Sequence, residues 1–134
     1  MKVIYVDLSH QILYAYEGNK LFRKYDCVTG DKSHKTTVGT HRIGRKHRIY
    51  RSRQYDAQMN FAMFFHRGEA IHESHLVGPM SYARITLRSI GLGDVDPFGS
   101  HGCVRLESSN ARELFNWTPI RTKVVISRNL KLPI

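Results

Sequence analysis

Ser100-His101-Gly102-Cys103-Val104-Arg105-Leu106 brings a thiol, an imidazole, a guanidinium and a glycine together within seven residues, with Gly99 just ahead of them. A thiol attacks as its thiolate and ionises more easily beside an imidazole or a cation, so Cys103 is a candidate nucleophile. Gly99 and Gly102 allow backbone dihedrals that can aim amide N–H groups at a developing oxyanion. As a bare pattern, a cysteine near a histidine also describes buried thiols and packed imidazoles. Working outward, the run Met59–Ile71 (MNFAMFFHRGEAI) is apolar with a break at His66-Arg67-Gly68. That suits two buried strands joined by a turn better than a helix, and it delivers His72 at the end of the second strand. Downstream, Ser108-Ser109-Asn110 offers helix-capping chemistry for Ala111–Trp117, with Glu113 placed to complete the first turn. Thr118-Pro119 stops that helix, and Thr122–Ser127 reads as a last β-branched strand.

The upstream third alternates. Ile4, Val6 and Leu8 fall on one face with Asp7 and Ser9 on the other, and Leu21, Tyr25 and Cys27 continue a β-like run after Gly18-Asn19. Thr29-Gly30-Asp31 supplies a turn, after which Thr36–Ile43 resumes a short strand. Residues 73–99 are punctuated by Gly78, Gly91, Gly93, Gly99, Pro79 and Pro97, leaving only Tyr82–Ile90 room for a helical turn or two. They read as a long functional loop. The plan is mainly β with one short helix after Cys103, in a single domain over residues 1–134, with no repeat or linker.

Composition bounds the function. With 134 residues, 41% apolar and 24% charged, the chain can bury one core and is not of the disordered class. No run of ~18 apolar residues exists to span a membrane, and two cysteines cannot staple a disulfide scaffold. The N-terminus runs directly into strand-like sequence without an apolar leader segment. The expectation is a protein that starts in the cytoplasm, is exported by another route, or is written here after a removed leader. The formal charge of +10 calls for an anionic partner or surface, and eight of the 21 Lys and Arg residues lie between Lys32 and Tyr55, a stretch with no acid.

Taken together, Ala70-Ile71-His72, Ser-His-Gly-Cys-Val-Arg-Leu, the short helix and the Val-Val-Ile strand resemble the L,D-transpeptidase catalytic domain, or YkuD family. The resemblance runs through Gln11–Tyr16, Val28-Thr29-Gly30, Thr36-Thr37-Val38-Gly39 and Met59-Asn60-Phe61 in family order, covering nearly the whole chain. It implies a YkuD-like β-sandwich or barrel that cleaves the bond between the third, L-configured residue of a peptidoglycan stem tetrapeptide and its terminal D-alanine. By position Cys103 matches the nucleophile and His72 the base. Ser100, His101 and Gly102 match residues that position the imidazole or shape the oxyanion pocket. Arg105 matches a basic residue suited to a substrate carboxylate, and the resemblance implies further substrate contacts from Glu73, Met59 and Phe61. A thioester then passes to an amine, giving a cross-link or amino-acid exchange, or to water, giving L,D-carboxypeptidase activity. No cofactor is implied.

Three departures stand out. His72 precedes Cys103 by 31 positions, a longer gap than the family's usual one, which makes 73–99 an insertion. Glu73 follows the histidine where a small residue is usual, and Thr37 replaces the proline of a Thr-Pro-x-Gly element. His75 competes with His72 for the base role, but Ala70-Ile71-His72 holds the family register. His72-Glu73-Ser74-His75 is not the His-Glu-x-x-His of a zinc helix, so no metal is expected. Cys27 reads as a small buried hydrophobe. The basic strip at 41–53 with Tyr50 and Tyr55 supports attraction to an anionic cell wall first, a solvated hairpin second and a nucleic-acid-binding β-module third. The substrate places the site of action in the periplasm or cell wall. A small chain without a leader fits housekeeping remodelling or delivery into a competitor's envelope, the latter implying secretion machinery and an immunity protein as partners.

Overall fold

The computed structural model describes residues 1–30, 35–52, 57–74 and 102–131. Two sheets face each other. The first has the order β3-β2-β1-β11-β4, built from β1 (Lys2–Asp7), β2 (Ile12–Glu17), β3 (Lys20–Asp26), β4 (Gly39–Arg42) and β11 (Lys123–Ser127). The second has the order β10-β9-β8-β5, from β5 (Arg45–His47), β8 (Ala62–His66), β9 (Glu69–Glu73) and β10 (Val104–Leu106). A third, two-stranded sheet pairs β6 (Arg51–Ser52) antiparallel with β7 (Ala57–Gln58).

The alternation in β1 decides its place. Ile4 and Val6 turn inward and are fully buried, and the strand is central, antiparallel to β2 and parallel to β11. Asp7 lies on the opposite face yet is buried, because its Oδ1 accepts bonds from the Ser9 N–H, the Ser9 hydroxyl and the His10 N–H while Oδ2 meets His10 Nδ1 at 2.8 Å. Those bonds fix the β1–β2 turn. Between the sheets Ile4, Val6, Leu13, Val124 and Ile126 pack against Met63, Phe65, Ile71, Val104 and Leu106, closed off by Leu114 and Phe115 of the helix. Cys27 belongs to this core and, among the described residues, forms no disulfide. Truncating a core residue such as Leu106 to alanine costs roughly 2–5 kcal/mol.

Helix α1 (Ser108–Trp117) starts three residues earlier than the sequence suggests. Its cap is Glu107, whose carboxylate accepts from the Ser109 and Asn110 N–H groups and from the Ser109 hydroxyl. Glu113 instead accepts the Tyr25 hydroxyl at 2.6 Å and pairs with Arg23 at 3.2 Å, tying the helix to β3. At the other end Lys2 Nζ donates to Trp117 O, and Lys46 Nζ donates to the carbonyls of Phe115 and Thr118. The cations complement the negative end of the helix.

Two expectations about the loops change. Residues Thr36–Val38 precede the strand, which begins at Gly39, because Thr36 and Thr37 are engaged by side-chain bonds. Glu73 is not loop but the last residue of β9, aligned with Leu106, and the Ser74 N–H still donates to Leu106 O. The expected helical turns at Tyr82–Ile90 and the rest of the insertion lie outside the described residues. The basic strip is not a single hairpin: β4 pairs with β11 in one sheet and β5 with β8 in the other, so the chain crosses between sheets at Ile43-Gly44. Among the described residues, no helix is long and apolar enough to cross a membrane.

Candidate active site

Parallel pairing of β9 with β10 assembles the site. The register aligns Val104 with Ile71, Arg105 with His72 and Leu106 with Glu73. In a parallel pair, aligned residues share a face and successive residues alternate. Ile71, Val104 and Leu106 therefore point into the core between the sheets, and Ala70, His72 and Arg105 point to the other face. One step ahead of β10, Cys103 falls beside Ala70 and packs in a second, smaller apolar cluster with Met59, Ala62 and Phe64. The motif is split across two strands in the chain and reunited by their register.

The histidine is held in one tautomer. His72 Nδ1 lies 2.6 Å from the backbone carbonyl oxygen of Glu73, which can only accept, so Nδ1 carries the proton. Nε2 is left as the free lone pair of a neutral imidazole. Burial drives the His72 pKa down to about 4, Arg105 adds to the fall and the Glu73 carbonyl opposes it. The imidazole is therefore unprotonated at neutral pH. The Cys103 thiol donates to Gly68 O at 3.7 Å, and burial pushes its pKa up to about 11 against the pull of the Ala70 backbone and Arg105. Both groups are buried, each 6% exposed. At neutral pH the thiol and the imidazole are thus both uncharged.

Arg105 is buried, and its backbone exchanges two hydrogen bonds with Val28, at 2.8 and 3.0 Å. That bridge holds the edge of β10 while the guanidinium charge acts on both His72 and Cys103. The Glu73 carboxylate does not orient the imidazole, a task done by its carbonyl, and it meets Asn60 Nδ2 at 3.5 Å. Met59 lies in the Cys103 cluster, whereas Phe61 packs against the main core, edge-on to Phe115 at 5.6 Å. Ser100, His101 and His75 lie outside the described residues.

Sequence reading passed over one residue of the site, Glu69. Gly102 has φ +90°, and a Cβ placed on it would meet Glu69 Cγ and Cδ at 2.8 Å and Oε1 at 2.9 Å. The same carboxylate accepts the Thr37 N–H at 2.8 Å and the Thr37 hydroxyl. Proline at position 37 would supply neither donor. Glu69 thus ties the loop before β4 to the turn that presents Cys103, and its charge works against thiolate formation. The available signal was a carboxylate inside the apolar run that leads to His72.

The architecture and this arrangement define a two-sheet β domain with a buried cysteine–histidine pair on one face of its second sheet. The chain belongs to the L,D-transpeptidase catalytic domain family, YkuD, whose model matches residues 1–126. Nothing among curated proteins matches it. It is similar to the solved L,D-transpeptidase from Stackebrandtia nassauensis at 24% identity and TM-score 0.76, covering 94% of this chain and 55% of that one. L,D-transpeptidase 1 from Mycobacterium tuberculosis is similar at 16% identity and TM-score 0.70, with coverage of 94% and 60%. An L,D-transpeptidase solved in complex with imipenem matches at 17% identity and TM-score 0.72, with coverage of 94% and 58%. The chain spans between half and two thirds of these proteins.

Proposed function

We propose that this chain is the catalytic domain of a peptidoglycan L,D-transpeptidase that works through a Cys103 thioester. The observation carrying the reading is the β9–β10 register, which brings Cys103 and His72 to one face while the Glu73 carbonyl leaves His72 Nε2 free to accept a proton. When the scissile carbonyl docks, the Cys103 proton passes to Nε2 and the sulfur adds to the carbonyl carbon. In this reading, backbone N–H groups at Gly102-Cys103 receive the oxyanion. Collapse expels D-alanine, whose amine takes the proton back from the imidazolium, and a thioester to the third stem residue remains. An acceptor amine or water then attacks that thioester, again losing a proton to Nε2. The amine gives a cross-link or an exchanged terminal residue, and water gives a tripeptide. Arg105, buried beside the pair, suits a substrate carboxylate. The substrate sets the site of action outside the cytoplasm.

Incubation with a disaccharide tetrapeptide, with products identified by mass, tests this. Loss of D-alanine or formation of a dimer should vanish in Cys103→Ala and fall by about 10²–10⁴-fold in His72→Ala. Undiminished turnover by Cys103→Ala would overturn the mechanism. Imipenem should acylate Cys103 and leave Cys27 unmodified, as peptide mapping will show.

A further inference from the structure

The basic strip is divided by the fold, and one of its members faces the active site. In β5 the register sets Arg45 against Phe64, Lys46 against Met63 and His47 against Ala62. Met63 belongs to the core between the sheets, so Lys46 turns inward and is spent on the helix C-terminus. Phe64 and Ala62 belong to the Cys103 cluster, so Arg45 and His47 stand on the nucleophile's face. Phe64 in turn aligns with Ala70, which lies beside Cys103. Arg45, Phe64 and Ala70 therefore form one row across three strands, which Cys103 continues just ahead of β10.

The Arg45 side chain is exposed but fixed. Its guanidinium carbon stands 4.0 Å from the centre of the Phe64 ring and 5.6 Å from that of Tyr50, and Nη1 lies 3.4 Å from His47 Nε2. Tyr50 is itself held edge-on to Phe64 at 5.0 Å and lies 5.2 Å from His47. A cation laid on aromatic faces keeps its outward N–H edge free for a planar anion, and it has lost side-chain freedom before binding. Among the described residues no carboxylate pairs with it. Sitting over Phe64, two strand spacings from Cys103, the guanidinium is roughly 10 Å from the nucleophile. An extended peptide covers that distance in about three residues.

We propose that Arg45, on the ledge formed by Phe64, Tyr50 and His47, is a carboxylate-binding subsite for the acyl-donor peptide, two to three residues on the N-terminal side of the scissile bond. The proposal rests on the transpeptidase reading and names how that site takes its donor. Arg45 touches no reacting atom, so its contribution is to donor binding and selection.

Steady-state kinetics on two donors decide it: a disaccharide tetrapeptide whose second residue carries a free carboxylate, and the same compound amidated there. For the free acid, Arg45→Ala should raise KM about tenfold with kcat held within about twofold, and Arg45→Glu should raise it further. The amidated donor should show little response to either change. Arg45→Lys, which keeps the charge but not the planar stack, should fall between. Iodoacetamide alkylation of Cys103 should be the same in all variants, which separates a subsite from a disturbed fold. Equal KM changes on both donors, no change on the free acid, or a loss of kcat alone would overturn the subsite. Absence of turnover of either donor by the unaltered protein would instead overturn the transpeptidase reading on which it stands.

Discussion

At Cys103 the surroundings favour the thiol over the thiolate, with a pKa pushed up to about 11 by burial, while its partner His72 is held neutral with a pKa near 4. A resting thiolate–imidazolium pair would need the opposite shifts, so the thiol and the imidazole are both uncharged at rest. Alkylation of Cys103 by iodoacetamide should accordingly be slow at pH 7 and keep climbing above pH 9. A rate plateau below pH 8 would contradict the neutral pair. Gly102 carries a second prediction at this scale. Its φ of +90° disfavours any side chain, and the Glu69 carboxylate fills the space a Cβ needs. Gly102→Ala must push Glu69 away and disturb the peptide that leads into Cys103. Acylation by imipenem should fall by about tenfold or more, as expected for a lost oxyanion contact, with iodoacetamide reactivity far less affected because alkylation makes no oxyanion.

At the scale of elements, what was legible from sequence follows from how local each signal is. Alternation in Ile4–Val6, the two-strand reading of Met59–Ile71 and the stop at Thr118-Pro119 depend on near neighbours, and each corresponds to a strand or helix limit in the structure. The pairing of Arg105 with His72 and the Glu69–Thr37 clamp join residues over 30 positions apart, and only folding brings them together. The helix start was misjudged because Ser108, Ser109 and Asn110 all have capping side chains, whereas the carboxylate of Glu107 reaches the Ser109 and Asn110 N–H groups first. Its pKa is lowered by those same bonds. Glu107→Ala should cost about 1 kcal/mol of unfolding free energy by chemical denaturation. Unchanged stability would return the cap to the serines.

For the molecule as a whole, the buried pair makes stability depend on pH at both ends of a defined window. His72 binds its proton at about 4 in the folded chain and near its ordinary value of 6.5 once unfolded. Between those values the unfolded state holds more protons, so stability falls as pH drops from 6.5 toward 4. Two and a half units correspond to about 3 kcal/mol. Cys103 works at the other end: its folded value near 11 exceeds the ordinary 9, so its contribution is complete below pH 9 and is lost as pH rises toward 11. Stability should therefore be greatest between about pH 6.5 and 9, the range in which the thiol and the imidazole are both neutral. Denaturant midpoints measured from pH 4 to 11 test this, and the variants separate the two limbs. His72→Asn should flatten the slope between pH 4 and 6.5 and leave the alkaline limb intact, while Cys103→Ser should do the reverse. An acid limb that persists unchanged in His72→Asn would assign it to other groups and remove the buried neutral imidazole from the account of the site.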